Sequence, residues 1–141
     1  MTLLSYSSRQ RQSPAESRER PYSSQTEFIG EAGLVAVSGE MDLFTAPRFK
    51  RDIEEAIEFT CGDLILDLSD LDMIDSTALR VMLGAQQRLQ DEGRWLILVV
   101  AGSHVLRVLT ITGLQTTFPI VASRREALQR VVARTADLAI A

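Results

Sequence analysis

Residues Trp95 to Ala101 are apolar without interruption. Within it, Trp95 to Val100 reads as a strand with no solvent face, which predicts a sheet covered by helices on both sides, the arrangement of α/β proteins. It is also far short of the ~20 apolar residues that span a bilayer. Around it, short elements alternate. Phe28-Ile29 and Leu34 to Val37 flank Gly30-Glu31-Ala32-Gly33, a connection that suits a hairpin. Thr45 reads as an N-cap with Pro47 tolerated in the first turn, and Phe49, Ile53, Ala56 and Ile57 recur at helical spacing. Leu64-Ile65-Leu66 with Leu68 form a β-rich run interrupted by Asp67, and Leu79, Met82, Leu83 and Leu89 mark a helix ending at Gly93.

Farther along, Ser103 reads as the cap of a short helix through Leu106 and Leu109 that stops at Gly113. Phe118 to Val121 predicts a last strand, placed at a sheet edge by Pro119. Ser123-Arg124-Arg125-Glu126 has capping-box spacing and opens a final helix with Ala127, Leu128, Val131 and Val132 on one side. The predicted order is β-β-α-β-α-β-α-β-α, a single α/β domain with a mixed sheet and about four helices.

The chain has 141 residues, of which 45% are hydrophobic and 24% charged, enough apolar material for one buried core. A net charge of -4 argues against direct nucleic-acid binding and against a polybasic membrane anchor. The single cysteine, Cys61, excludes an intramolecular disulfide framework and a cysteine-built zinc site, and fits a reducing compartment. Near the start only Leu3 and Leu4 stand together, so a secretory core segment is missing and a cytoplasmic location is expected, without membrane insertion. Residues 1–27 carry serines at 5, 7, 8, 13, 17, 23 and 24, arginines at 9, 11, 18 and 20, and two prolines. That segment is expected to be a disordered arm, with the domain covering 28–141 and its last few residues frayed.

Catalytic chemistry finds little support. His104 is the only histidine, and no Gly-x-Ser-x-Gly elbow surrounds a serine that it could serve. Asp63, Asp67, Asp70, Asp72 and Asp75 crowd one stretch, but strand alternation sends them to different faces, so a solvated acidic loop is expected rather than a Mg²⁺ cage. Phosphate-binding glycine loops are absent. Cys61, beside Gly62 and with no second cysteine to resolve it, reads as an inert or merely exposed thiol. No catalytic residue, metal or cofactor is assigned.

One segment stands out: Leu71-Asp72-Met73-Ile74-Asp75-Ser76-Thr77-Ala78-Leu79. An apolar approach ends in Asp-Ser-Thr and the helical pattern starts at once, which places Asp75 or Ser76 at the N-cap and the Ser76 hydroxyl at the helix mouth. A phosphate there would meet unpaired backbone N–H groups and the positive end of the helix dipole, opposed by Asp72 and Asp75.

Asp75-Ser76-Thr77-Ala78-Leu79 after Leu71-Asp72-Met73-Ile74 resembles the phosphorylation signature of bacterial anti-sigma factor antagonists, small STAS-domain proteins. Gly39-Glu40-Met41-Asp42, followed by a Thr-Ala helix start, is similar to their Gly-Glu-Leu-Asp segment, and Ser103 to Leu114 resembles their third helix with its Gly-Leu ending. The resemblance covers about residues 28 to 135 and implies a partner-switching regulator in place of an enzyme. The unmodified antagonist binds an anti-sigma factor that is itself an ATP-dependent serine kinase, and so frees a sigma factor. Phosphorylation at the position of Ser76 breaks the complex, and a metal-dependent serine phosphatase restores it. Glu40, Asp42, Asp75, Thr77 and Ala78 are the partner-binding residues the resemblance implies. Ala78 stands where the family usually has Gly, a methyl that could hinder close approach of a kinase. A constitutive STAS scaffold, stressosome-like or an accessory subunit of a lipid-transporting ABC system, is the alternative, followed by a serine hydrolase.

Overall fold

The computed structural model describes residues 21–140 of the chain. The elements are β1 (Ser23–Ile29), β2 (Ala32–Met41), α1 (Ala46–Phe59), β3 (Leu64–Ile74), α2 (Ser76–Asp91), β4 (Leu96–Val99), α3 (Ser103–Ile111), a 3₁₀ turn (Leu114–Thr116), β5 (Ile120–Val121) and α4 (Arg124–Ile140). Their order is the one expected, and they form a five-stranded mixed sheet in the order β1-β2-β3-β4-β5. Only β1 runs antiparallel to its neighbour; β2 to β5 are parallel. Gly30, at φ +61°, takes the first turn position of the β1–β2 hairpin, where positive φ excludes most other residues.

Strand alternation sorts the apolar side chains into two cores. Val35, Val37, Leu64, Leu66, Leu68, Leu96 and Leu98 face α1, α2 and α3, meeting Phe49, Ile53, Met82, Leu89 and Leu109. Leu34, Ile65, Ile97, Val99 and Val121 face the other way, onto Ala127, Leu128 and Val131 of α4. Three helices therefore cover one face and one covers the other, which is why β4 is buried at every position.

Several expectations need correction. The domain begins before residue 28, because β1 starts at Ser23 and Tyr22 is 4% exposed. Its ring meets Phe49 edge-on at 6.4 Å, Arg48 lies over it, and its hydroxyl donates to Asp52 at 2.7 Å. Burial, reinforced by Asp52, raises the Tyr22 pKa above the ordinary tyrosine value. The strand escaped the apolarity pattern because its side chains are mostly exposed and pairing to β2 alone sustains it. The expected arm over residues 1–20 lies outside the described residues.

The acidic stretch is no solvated loop. β3 runs unbroken through Asp67, whose buried carboxylate pairs with Arg124 of α4. Asp63 is also buried, held by a two-pronged ion pair from Arg134 at 2.8 and 3.1 Å while Trp95 N–H donates to it at 2.8 Å. Arg134 in turn stacks over the Trp95 ring at 4.1 Å. These two arginines pin α4 to the sheet. Thr45 holds the N-cap position of α1 without capping it, and Ser103 is the first residue of α3 after Gly102. The Ser123 and Glu126 spacing does form a cap: Ser123 Oγ accepts from Glu126 N, and the Glu126 carboxylate reaches back to Ala122 N.

Sequence patterning gave no sign of Arg94. Buried beside the end of α1, it donates to the carbonyls of Ile57 and Thr60, which α1 cannot satisfy itself, and to that of Gly62 in the turn beyond.

Candidate functional site at the mouth of the second helix

The C-terminal ends of β2 and β3 lie side by side, with Glu40 opposite Met73 and Met41 opposite Ile74. Each strand then turns into a helix, so the two following residues, Asp42 and Asp75, emerge next to one another. The Asp75 backbone N–H donates to Met41 O at 3.1 Å and extends the pairing one residue past the strands. This is the edge at which open parallel sheets present their ligand-binding loops.

Asp75 is the N-cap of α2. Its extended backbone lets one carboxylate oxygen accept from Thr77 N at 3.0 Å and Ala78 N at 3.1 Å. Ser76 is therefore the first helical residue and is exposed. A group placed on its hydroxyl would meet the positive end of the helix dipole, but the N–H groups of Thr77 and Ala78 are already taken by Asp75, contrary to the expectation that they stand open.

Asp42 performs the equivalent task for the β2–α1 turn. Its carboxylate accepts from Phe44 N at 2.9 Å and Thr45 N at 3.1 Å, while Thr45 Oγ1 accepts from Asp42 N and donates to Glu40 O. The turn is locked from both sides. Its tip pushes Leu43 and Phe44 outward, 63% and 84% exposed. These two residues were missed in the sequence. The signal was there in Asp42-Leu43-Phe44-Thr45, an Asp and a Thr spaced to close a turn around two apolar residues that then have nowhere to go but solvent.

The predicted residues are thus partly assembled. Asp42, Asp75 and Ser76 share one edge, Glu40 is half-buried on the same strand end, and Thr77 is half-buried on the side of α2 that faces α1. Ala78 is a correction: at 0% exposure it belongs to the core, and its methyl can touch neither a partner nor a kinase. His104 is exposed on α3. Among the described residues no cluster of three or more metal-ligating side chains occurs, and no helix is long and apolar enough to cross a membrane.

A sheet of this order, three helices against one, and a Ser at the mouth of the helix after the third strand define a class. A STAS domain model matches residues 23–127, and the chain belongs to the STAS-domain family. Relatives that it matches are named anti-sigma factor antagonists. That of sigma F in Paenibacillus polymyxa is 30% identical over 96 residues, covering 67% of this chain and 82% of the relative. The anti-sigma-B factor antagonist of Listeria monocytogenes is 34% identical over 80 residues, 57% of this chain and 70% of the relative. The crystal structure of an anti-sigma factor antagonist from Mycobacterium paratuberculosis superposes with a TM-score of 0.72 at 28% identity, over 79% of this chain and 94% of that one.

Proposed function

We propose that this chain is an anti-sigma factor antagonist switched by phosphorylation at Ser76. The observation that carries the reading is the position of Ser76 itself: exposed, first in α2, and next to the Asp75 cap that is bonded to the end of the strand carrying the Asp42 turn. The unmodified protein binds an anti-sigma factor that is also an ATP-dependent serine kinase and thereby releases a sigma factor. Glu40, Asp42, Asp75 and Thr77, with the exposed Leu43 and Phe44, form the contact surface. A metal-dependent serine phosphatase resets the protein, which is itself a binding regulator and no enzyme.

The energetics suffice without a change of fold. A phosphoryl group adds about -1.5 to -2 charge, and like charges brought together in an interface cost several kcal/mol. A loss of about 3 kcal/mol is more than a hundredfold in affinity. The backbone need not move, because the cap that holds Ser76 uses Asp75 and not the serine hydroxyl.

The test uses purified anti-sigma factor kinase from the same source with ATP. Mass spectrometry is expected to find phosphate on Ser76 alone, with Ser76→Ala retaining binding and Ser76→Asp losing it. Tight binding by a folded Ser76→Asp protein would reject the switch in favour of a constitutive STAS scaffold.

A further inference from the structure

A groove of about 390 Å³ runs between α1 and α2, starting at Thr77, one residue from Ser76. Its floor is apolar and shallow, built from Val81, Gly84, Ala85 and the edges of Ile53 and Ile57. Three cations, Lys50, Arg80 and Arg88, line it against one anion, Glu54. On a chain with net charge -4 this is a local reversal of sign. Lys50 and Arg88 have long, exposed ion pairs with Glu54 and Glu58, both at 3.9 Å, and pairs of that kind exchange readily for an incoming carboxylate.

From the groove's shape and charge, we infer that it takes an acidic, amphipathic segment of the anti-sigma factor, with its apolar side chains over Gly84 and its carboxylates toward Arg80 and Arg88. The inference rests on the reading of this chain as an anti-sigma factor antagonist and extends its contact surface along α2. Charge decides against the other occupants. Residues 1–20 of this chain carry four arginines against two glutamates, the wrong sign for this rim. A second copy in a symmetric arrangement brings the same three cations onto themselves.

The groove also accounts for the reach of the Ser76 switch. Arg80 lies four residues beyond Ser76 on α2, one helical turn away on the same face. A phosphate on Ser76 places its charge at the groove mouth, beside the cation that an acidic occupant needs. One modification then opposes binding both at the Asp42–Asp75 edge and in the groove.

Gly84 makes a clean test, because a Cβ built there meets nothing within 4 Å. Gly84→Leu starts from that open Cβ position, sets a bulky side chain on the groove floor and removes a glycine from a helix interior, so its melting temperature is expected to stay level or rise. Calorimetry against the purified anti-sigma factor is expected to show at least tenfold weaker binding for Gly84→Leu and for Arg80→Glu. The Arg80→Glu loss shrinks between 0.1 and 0.5 M salt, where exposed charges are increasingly screened. If both variants bind like the unmodified protein while Ser76→Asp fails to bind, the groove is no docking site and the switch stands. If the unmodified protein binds no anti-sigma factor, the switch and the groove fall together.

Discussion

The Asp75 backbone N–H donates to the Met41 carbonyl at 3.1 Å, so the residue that caps α2 is also bonded to the last residue of the neighbouring strand. The edge that carries Ser76 is thereby tied to the turn that carries Asp42. A partner resting on one rests on the other.

Asp42 closes the β2–α1 turn and, in the proposed function, also meets the partner; two substitutions separate these roles. Asp42→Asn keeps an oxygen acceptor for Phe44 N and Thr45 N but removes the charge, so stability is expected to change by less than about 0.5 kcal/mol. Asp42→Ala removes the acceptor as well and is expected to cost about 1 kcal/mol in urea unfolding. Anti-sigma factor binding falls for both. If only Asp42→Ala binds weakly, the carboxylate matters for the turn and its charge does not meet the partner.

The Asp75 cap and the proposed phosphorylation site, Ser76, are neighbours with separable contributions to stability. Asp75→Ala is expected to cost about 0.5–2 kcal/mol through the loss of its bonds to Thr77 N and Ala78 N. Ser76→Ala, at an exposed first helical position, is expected to stay within about 0.5 kcal/mol of the unmodified protein. A thermal melt in which Ser76→Ala loses more than Asp75→Ala would reverse the assignment of the cap.

Removing residues 1–27 is expected to be destabilising, because it takes Tyr22 from the core and the whole exposed length of β2's outer partner up to Glu27. Tyr22→Ala alone is expected to cost about 3 kcal/mol, as large-to-small changes in cores do. Tyr22→Phe keeps the ring against Phe49 and loses only the bond to Asp52, about 1 kcal/mol. Equal melting temperatures for the full chain and the 28–141 fragment would show that β1 contributes nothing.

Asp67 sets an acid limit. Burial by itself raises its pKa, but hydrogen bonds from Arg124 and Ser69 outweigh burial and hold it below the usual carboxylate range. A carboxylate with a depressed folded-state pKa stabilises the fold above its unfolded pKa of about 3.9 and loses that contribution as pH falls toward the folded value. Asp67→Asn is expected to lower stability by about 1–2 kcal/mol at neutral pH, discounted for the exposed Arg124 side. Below about pH 4 the two stability curves converge. Parallel curves down to acid unfolding would remove Asp67 from the pH dependence.

What was legible in the sequence follows from periodicity. The α/β order, the two-sided burial of β4 and the edge position of β5 are all written in apolar spacing and one proline, and all are found. Ser76 and Asp75 at the mouth of α2 were legible too, though only the folded geometry decides that Asp75 is the cap. Features that depend on long-range partners were not legible. β1 is exposed on most positions and exists by pairing with β2, Asp67 and Asp63 are buried because arginines 57 and 71 residues away meet them, and Arg94 lies buried among carbonyls 32 to 37 residues earlier. No local pattern encodes a contact of that span. Ala78 was misassigned to the surface for the opposite reason, since a motif names neighbours along the chain without saying which way each one faces.

The antiparallel pairing of Ser23 with Ser38 brings the chain into the fold near the same end of the sheet that bears Ser76. α4 runs back the other way, and its Arg134 reaches Asp63 and Gly93, which precede β3 and β4 at the far end. The two ends of the described chain therefore leave from opposite poles of the domain. A fluorophore, purification tag or surface tether joined after α4 leaves the Ser76 pole uncovered, whereas one joined directly ahead of Tyr22 stands beside it, and the orientation of every fusion or immobilised assay on this protein is set by that polarity.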